Sequence, residues 1–189
     1  MKNIRKLITT VLTFVMTLSM ITITPVSAVA NLDFDSNKAY AIIENTTGKA
    51  VQVTNTTWTE DGAVYVDGAI TNNKVLNKSA FHITKQTDGR YTFASISNDE
   101  NQLKCENTLG NGIEFVFTHS KYEAKNKFTL EQEGEGYKIK SDDNVYLGLG
   151  NNNRLDKVSN DKASIFTFKE VSVIDETVSI KHVRTGKYI

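Results

Sequence analysis

Three tyrosines set the frame of this chain: Tyr40, Tyr91 and Tyr137 stand 51 and 46 positions apart, and each opens the same short pattern. An aromatic strand comes first, then a polar turn, then a second strand. The first unit reads Tyr40-Ala-Ile42, a turn at Glu44-Asn-Thr-Thr-Gly48, and Val51-Gln-Val53. The second reads Tyr91-Thr-Phe93, a turn at Ser97-Asn-Asp-Glu-Asn101, and Leu103-Lys-Cys105. The third reads Tyr137-Lys-Ile139, a turn at Ser141-Asp-Asp-Asn144, and Tyr146-Leu-Gly-Leu149. Each closes on a Phe-x-apolar strand: Phe81-His-Ile83, Phe128-Thr-Leu130, Phe166-Thr-Phe168. A further strand lies between, clear at 63–69 and 112–118 and faint at 155–158. Alternation at period two marks strands, and no stretch repeats apolar residues at helical spacing, so no long helix is expected.

A unit this small cannot bury its own apolar face and must share a core with its copies. Three units of four strands have a physical solution. Six strands close a barrel, which removes exposed sheet edges, and six form hairpins that cap one end. We therefore expect an all-β chain with a β-trefoil over residues 38–171. A helix-free chain with unequal strands can also form a sandwich; the threefold period favours the trefoil.

With these residues in view, the pattern resembles the fascin-like and ricin B-like β-trefoil families, over roughly residues 38–171. The stretch Ile180-Lys-His-Val-Arg-Thr-Gly-Lys-Tyr-Ile189 is similar to the opening hairpin of fascin-like units. The resemblance implies a binding module of the carbohydrate-binding type. The Gln-x-Trp signature of ricin-type lectins is absent: Phe81, Phe128 and Phe166 stand near its place, and none has Gln two residues earlier.

The ends of the chain read differently. Lys2, Arg5 and Lys6 precede an apolar stretch from Leu7 to Thr24, and Ala28-Val-Ala30 follows as an Ala-x-Ala site. This is the layout of a secretory signal peptide over 1–30, with cleavage after Ala30 and no membrane anchor once it is cut. Residues 31–37 read as an acidic linker. Residues 172–189 read as a second linker and the opening hairpin of a further, truncated unit, which points to a piece of a longer secreted protein. The signal's style and the Lys/Asn-rich composition suggest a bacterial source.

Charge narrows the partners. The whole chain carries 22 basic and 22 acidic residues, and the signal holds three of the bases and no acid. The remaining chain is mildly acidic and lacks the field that polyphosphate binding needs, so nucleic acid is excluded as a partner. Cys105 is the single cysteine and reads as a small buried residue.

Catalytic chemistry is sparse. Asp33-x-Asp35-x-Asn37, with Glu44 twelve positions into the frame, resembles the start of an EF-hand loop, but Lys38 stands where glycine is required. Glu131, Glu133 and Glu135 could pair for work on a glycoside, yet they lie on a Gly-rich hairpin turn. His82, His119 and His182 are scattered. We expect no enzyme activity, no metal and no cofactor. Binding is better supported. Trp58, the only tryptophan, stands in a polar turn between strands, where an indole can stack on a sugar ring while Glu60 or Asp61 accepts hydroxyl hydrogen bonds. Tyr122 and Tyr146 occupy loops or strand starts of the later units. The reading is a secreted, non-catalytic module for a polysaccharide or glycan, with Trp58, Glu60, Asp61, Tyr122 and Tyr146 as ligand contacts. Two alternatives stay open: the N-terminal accessory domain of a larger secreted glycoside hydrolase, and a protein-binding trefoil acting as inhibitor or adhesion factor.

Overall fold

The computed structural model describes residues 32–54, 62–96, 98–105, 114–117 and 125–174. The expected signal over 1–30 and the hairpin at 178–189 lie outside them. Six strands close a ring. Strand β1 (Tyr40–Glu44) pairs with β13 (Phe166–Glu170) on one side and meets β5 (Phe81–Lys85) on the other. The ring continues from β5 to β6 (Tyr91–Ser95), from β6 to β9 (Phe128–Glu133), and from β9 to β10 (Gly136–Ser141). Strand β10 then returns to β13 and completes the barrel.

The tyrosine and phenylalanine frame is what closes it. Tyr40 lies opposite Phe81, Tyr91 opposite Phe128, and Tyr137 opposite Phe166. The same cross-strand pair recurs at the three places where distant strands meet. All three phenylalanines are fully buried, as are Ile83, Phe93, Leu130 and Ile139 on the same inward faces. Alternate residues of each barrel strand supply this core, as the pleat requires.

Three hairpins extend from the barrel: β2 (Lys49–Val53) with β3 (Gly62–Gly68), β7 (Asn98–Lys104) with β8 (Glu114–Phe117), and β11 (Tyr146–Leu149) with β12 (Leu155–Val158). They touch one another: β3 pairs with β8, and Tyr65 forms a bridge with Arg154. Val51, Val53, Val64, Val66, Leu103, Leu147 and Leu155 join the barrel residues in one continuous core. Cys105 belongs to it, and its burial raises the thiol above its usual pKa, which leaves it unreactive.

Four features differ from the sequence reading. The second unit's turn is shorter than expected, because β7 begins at Asn98 and carries polar residues, Asn101 among them, into buried positions. Strand β4 (Lys74–Leu76) was not expected. The two-residue turn before it places Asn72 and Asn73 at φ 50° and 61°, a left-handed conformation that asparagine tolerates. Residues 172–174 are not linker: β14 (Ser172–Ile174) pairs in parallel with β4. This pair covers a second small core of Ala41, Ala50, Val75, Ala80 and Val171 on the outside of the barrel. Residues 32–37 are not a free linker either, since Leu32 and Phe34 pack against the main core.

Glycine is required where β10 meets the start of β13 and the turn after β1. A Cβ on Gly136 would stand 2.5 Å from Ile165 Cγ2, 2.9 Å from the Phe166 carbonyl and 3.0 Å from Asn45 Nδ2. The carbonyl belongs to the strand that closes the barrel and has no freedom to retreat. Gly136→Ala should lower the unfolding free energy by about 1–3 kcal/mol, the usual range for overpacking. Urea denaturation beside the unaltered chain measures this, and unchanged stability would show that β10 and β13 pack more loosely than described.

Candidate functional site

Of the expected ligand contacts, Trp58, Glu60, Asp61 and Tyr122 lie outside the described residues. The strands that carry their segments are described. The 55–61 segment leaves from a clamped base: Thr54 donates its backbone N–H to the Ala63 carbonyl at 3.0 Å, and its hydroxyl reaches the same oxygen at 3.2 Å. Val53 and Val64 pair just below. Residue Gly62, directly after Asp61, lies opposite Phe115 of β8, and Ala63 lies opposite Glu114. The two strands are antiparallel, so 55–61 enters β3 at the same end of the pair where β8 leaves at Phe117 into 118–124. The segments bearing Trp58, Glu60, Asp61 and Tyr122 are therefore rooted side by side, at one end of the β3–β8 pair.

Tyr146 is placed apart and differently. It lies at the start of β11, opposite Lys140 of β10 and Val158 of β12. The residue is 7% exposed, and its hydroxyl donates to Glu131 Oε2 at 2.9 Å. Lys140 Nζ lies 5.7 Å from the ring centroid and 3.5 Å from Glu131 Oε1. Burial, reinforced by the Glu131 carboxylate, pushes the phenol above its usual pKa and keeps it a donor. This corrects the expectation that Tyr146 offers a face to ligand: the ring is covered, and the hydroxyl is committed to a neighbour. Its place at a strand start suggests exposure; the acceptor that makes burial tolerable, Glu131, sits on a different strand.

The acidic residues hold no catalytic arrangement among the described residues. Glu131 is engaged by Tyr146 and Lys140, Glu133 pairs with Lys138 at 3.5 Å, and Glu135 is exposed in the turn. Asp35 serves its own turn, accepting the Asn37 backbone N–H at 3.0 Å. No grouping of His, Cys, Asp and Glu among the described residues could hold a metal ion. Among them also, no helix is long and apolar enough to cross a membrane.

One electrostatic knot on the surface is structural. Arg90 pairs with Asp88 beside it and with Asp142 in the turn after β10, and Lys127 lies 3.4 Å from Asp88. The hydrogen bonds from the Arg90 side chain and backbone hold the Asp88 carboxyl well below its usual range. A depressed carboxyl stabilises the fold above its unfolded-state pKa of about 4, and this contribution fades as pH falls below that value. Asp88→Asn should therefore lower the melting temperature near neutrality by the same modest, solvent-screened amount that the unaltered chain loses on acidification, and so flatten the acid limb of a plot of melting temperature against pH. An acid limb identical to that of the unaltered chain would remove Asp88 from the account.

No family model and no curated protein sequence matches the chain. Solved structures do. A designed threefold-symmetric protein, ThreeFoil, is 16% identical, covers 74% of this chain and 100% of its own, and superposes with a TM-score of 0.56. The BEL β-trefoil is 13% identical, covers 76% of this chain and all of its own, with a TM-score of 0.59. The agglutinin of Rhizoctonia solani is 11% identical, covers 75% and 99%, with a TM-score of 0.54. At these identities the likeness concerns the fold: the chain is an all-β protein with the six-stranded barrel of β-trefoils.

Proposed function

We propose that this chain is a non-catalytic β-trefoil binding module for a glycan or polysaccharide, built of three four-stranded units and exported after cleavage behind Ala30. What supports the binding reading is the shared root of two polar segments at one end of the β3–β8 pair. One segment carries the only tryptophan with two carboxylates, and the other carries Tyr122. Trp58 would stack on the apolar face of a sugar ring, Glu60 and Asp61 would accept its hydroxyls, and Tyr122 would form a second wall. Aromatic faces with a few carboxylates suit sugars, because a pyranose has both an apolar face and a rim of donors. An agglutinin among the structural neighbours agrees with this reading.

The export reading rests on the sequence of residues 1–30: Lys2, Arg5 and Lys6, the apolar stretch from Leu7 to Thr24, and Ala28-Val-Ala30. The test is a glycan array and a polysaccharide pull-down with the chain lacking residues 1–30. Retention on at least one glycan, released by the free sugar, is the expected result. A clean array across all sugars would overturn the proposal and leave a protein partner as the next reading.

A further inference from the structure

The open end of the barrel is closed by residues that belong to no strand. Residues 32–35 alternate half-buried and exposed, as an extended peptide does on a surface. Leu32 is held by a side chain instead of a ladder: the Tyr91 hydroxyl accepts its backbone N–H at 2.8 Å and donates to its carbonyl at 2.9 Å. Phe34 inserts between three rings, edge-on to Tyr40 at 5.1 Å, Phe168 at 5.3 Å and Tyr91 at 5.8 Å between centroids. The Tyr40 hydroxyl accepts the backbone N–H of Asp35 at 3.2 Å. The chain then turns through Asp35 and Asn37 into β1, with Lys38 paired to Glu170 at 2.9 Å.

Each of these contacts is of the kind a protein makes to a bound peptide. Two tyrosine hydroxyls read backbone groups, and an aromatic cup reads one side chain. None of them takes part in the pairing that closes the barrel. We infer that the open end of the barrel is a peptide-binding site for a short extended segment of the form Leu-x-Phe, and that the chain fills it in cis with its own residues 32–35. The tether makes the segment a strong competitor, since a short flexible linker gives an effective concentration of about millimolar. A peptide of the same sequence added to the unaltered chain therefore finds the site occupied.

The experiment uses a fluorescent peptide of residues 31–37 and measures anisotropy against the full chain, unaltered or carrying Phe34→Ala. The substitution empties the cup in cis and leaves the barrel residues intact. The altered chain should bind the peptide at least ~10-fold more tightly than the unaltered chain does, while a peptide carrying the same Phe34→Ala change should bind neither. Adding Tyr91→Phe to the altered chain should weaken peptide binding by roughly tenfold, through loss of both bonds to Leu32. If Phe34→Ala fails to fold, Phe34→Leu, a poorer cis filler of a cup built of three rings, replaces it, with a smaller gain in peptide binding over the unaltered chain expected and no gain overturning the inference. A folded variant that takes up no peptide at up to ~1 mM, the scale of the cis competitor, would overturn the inference and make Phe34 an ordinary core residue. Glycan retention has no part in this readout, so its failure and that of the glycan reading are distinguishable.

Discussion

Phe128→Ala should lower the unfolding free energy by about 3–5 kcal/mol, the range for truncating a buried phenylalanine. The side chain is fully buried, lies 5.6 Å from Phe93 between ring centroids, and its backbone forms the bridge to Tyr91 that joins two distant parts of the ring. The loss is a large share of the 5–15 kcal/mol typical of a whole domain. Thermal and urea melts should show it with cooperativity retained, and the same change at Phe81 or Phe166 should act similarly, because each lies opposite a tyrosine at an equivalent closure. A cost below about 1 kcal/mol at Phe128 would mean that the three closures do not share one core.

That frame was legible in the sequence for a physical reason. An inward aromatic at a strand crossing has few substitutes, and the crossings fall at Tyr40–Phe81, Tyr91–Phe128 and Tyr137–Phe166, so the spacing of these residues marks the frame. The faint strand at 155–158 is present as β12, and its one buried apolar residue, Leu155, joins the shared core. Strand β7 was read too short because Asn98 to Asn101 has turn chemistry, and burial of Asn101 depends on partners that local spacing does not reveal.

Other elements left almost no mark. The β4–β14 pair joins three residues to three others nearly a hundred positions away, too few for any period to appear. Residues 32–37 read as acidic linker because Asp33 and Asp35 dominate them; only Leu32 and Phe34 carry the alternation, and their partners are rings and hydroxyls of the barrel. Tyr146 was read as a ligand contact because a tyrosine at a strand start is often exposed, and Glu131, fifteen positions away, is what allows it to be buried. For the candidate site, the sequence supplied the residue types, and the pairing of β3 with β8 supplied the reason to consider Trp58 and Tyr122 together.

The most direct measurement is made on one variant, Trp58→Ala, with melting temperature and polysaccharide retention recorded on the same preparation. Two threonines precede Trp58 and Thr-Glu-Asp-Gly follows it, so its sequence neighbours supply no apolar pocket. If Trp58 is the stacking platform of a glycan module, retention should be abolished while stability stays within about 0.5 kcal/mol, the usual range for surface changes. Glu60→Gln with Asp61→Asn should weaken retention in the same direction through loss of hydroxyl acceptors. A Trp58→Ala chain destabilised by about 3–5 kcal/mol that still holds the polysaccharide once folded would contradict the account, making Trp58 a packing residue and taking the glycan site away from the β3–β8 end.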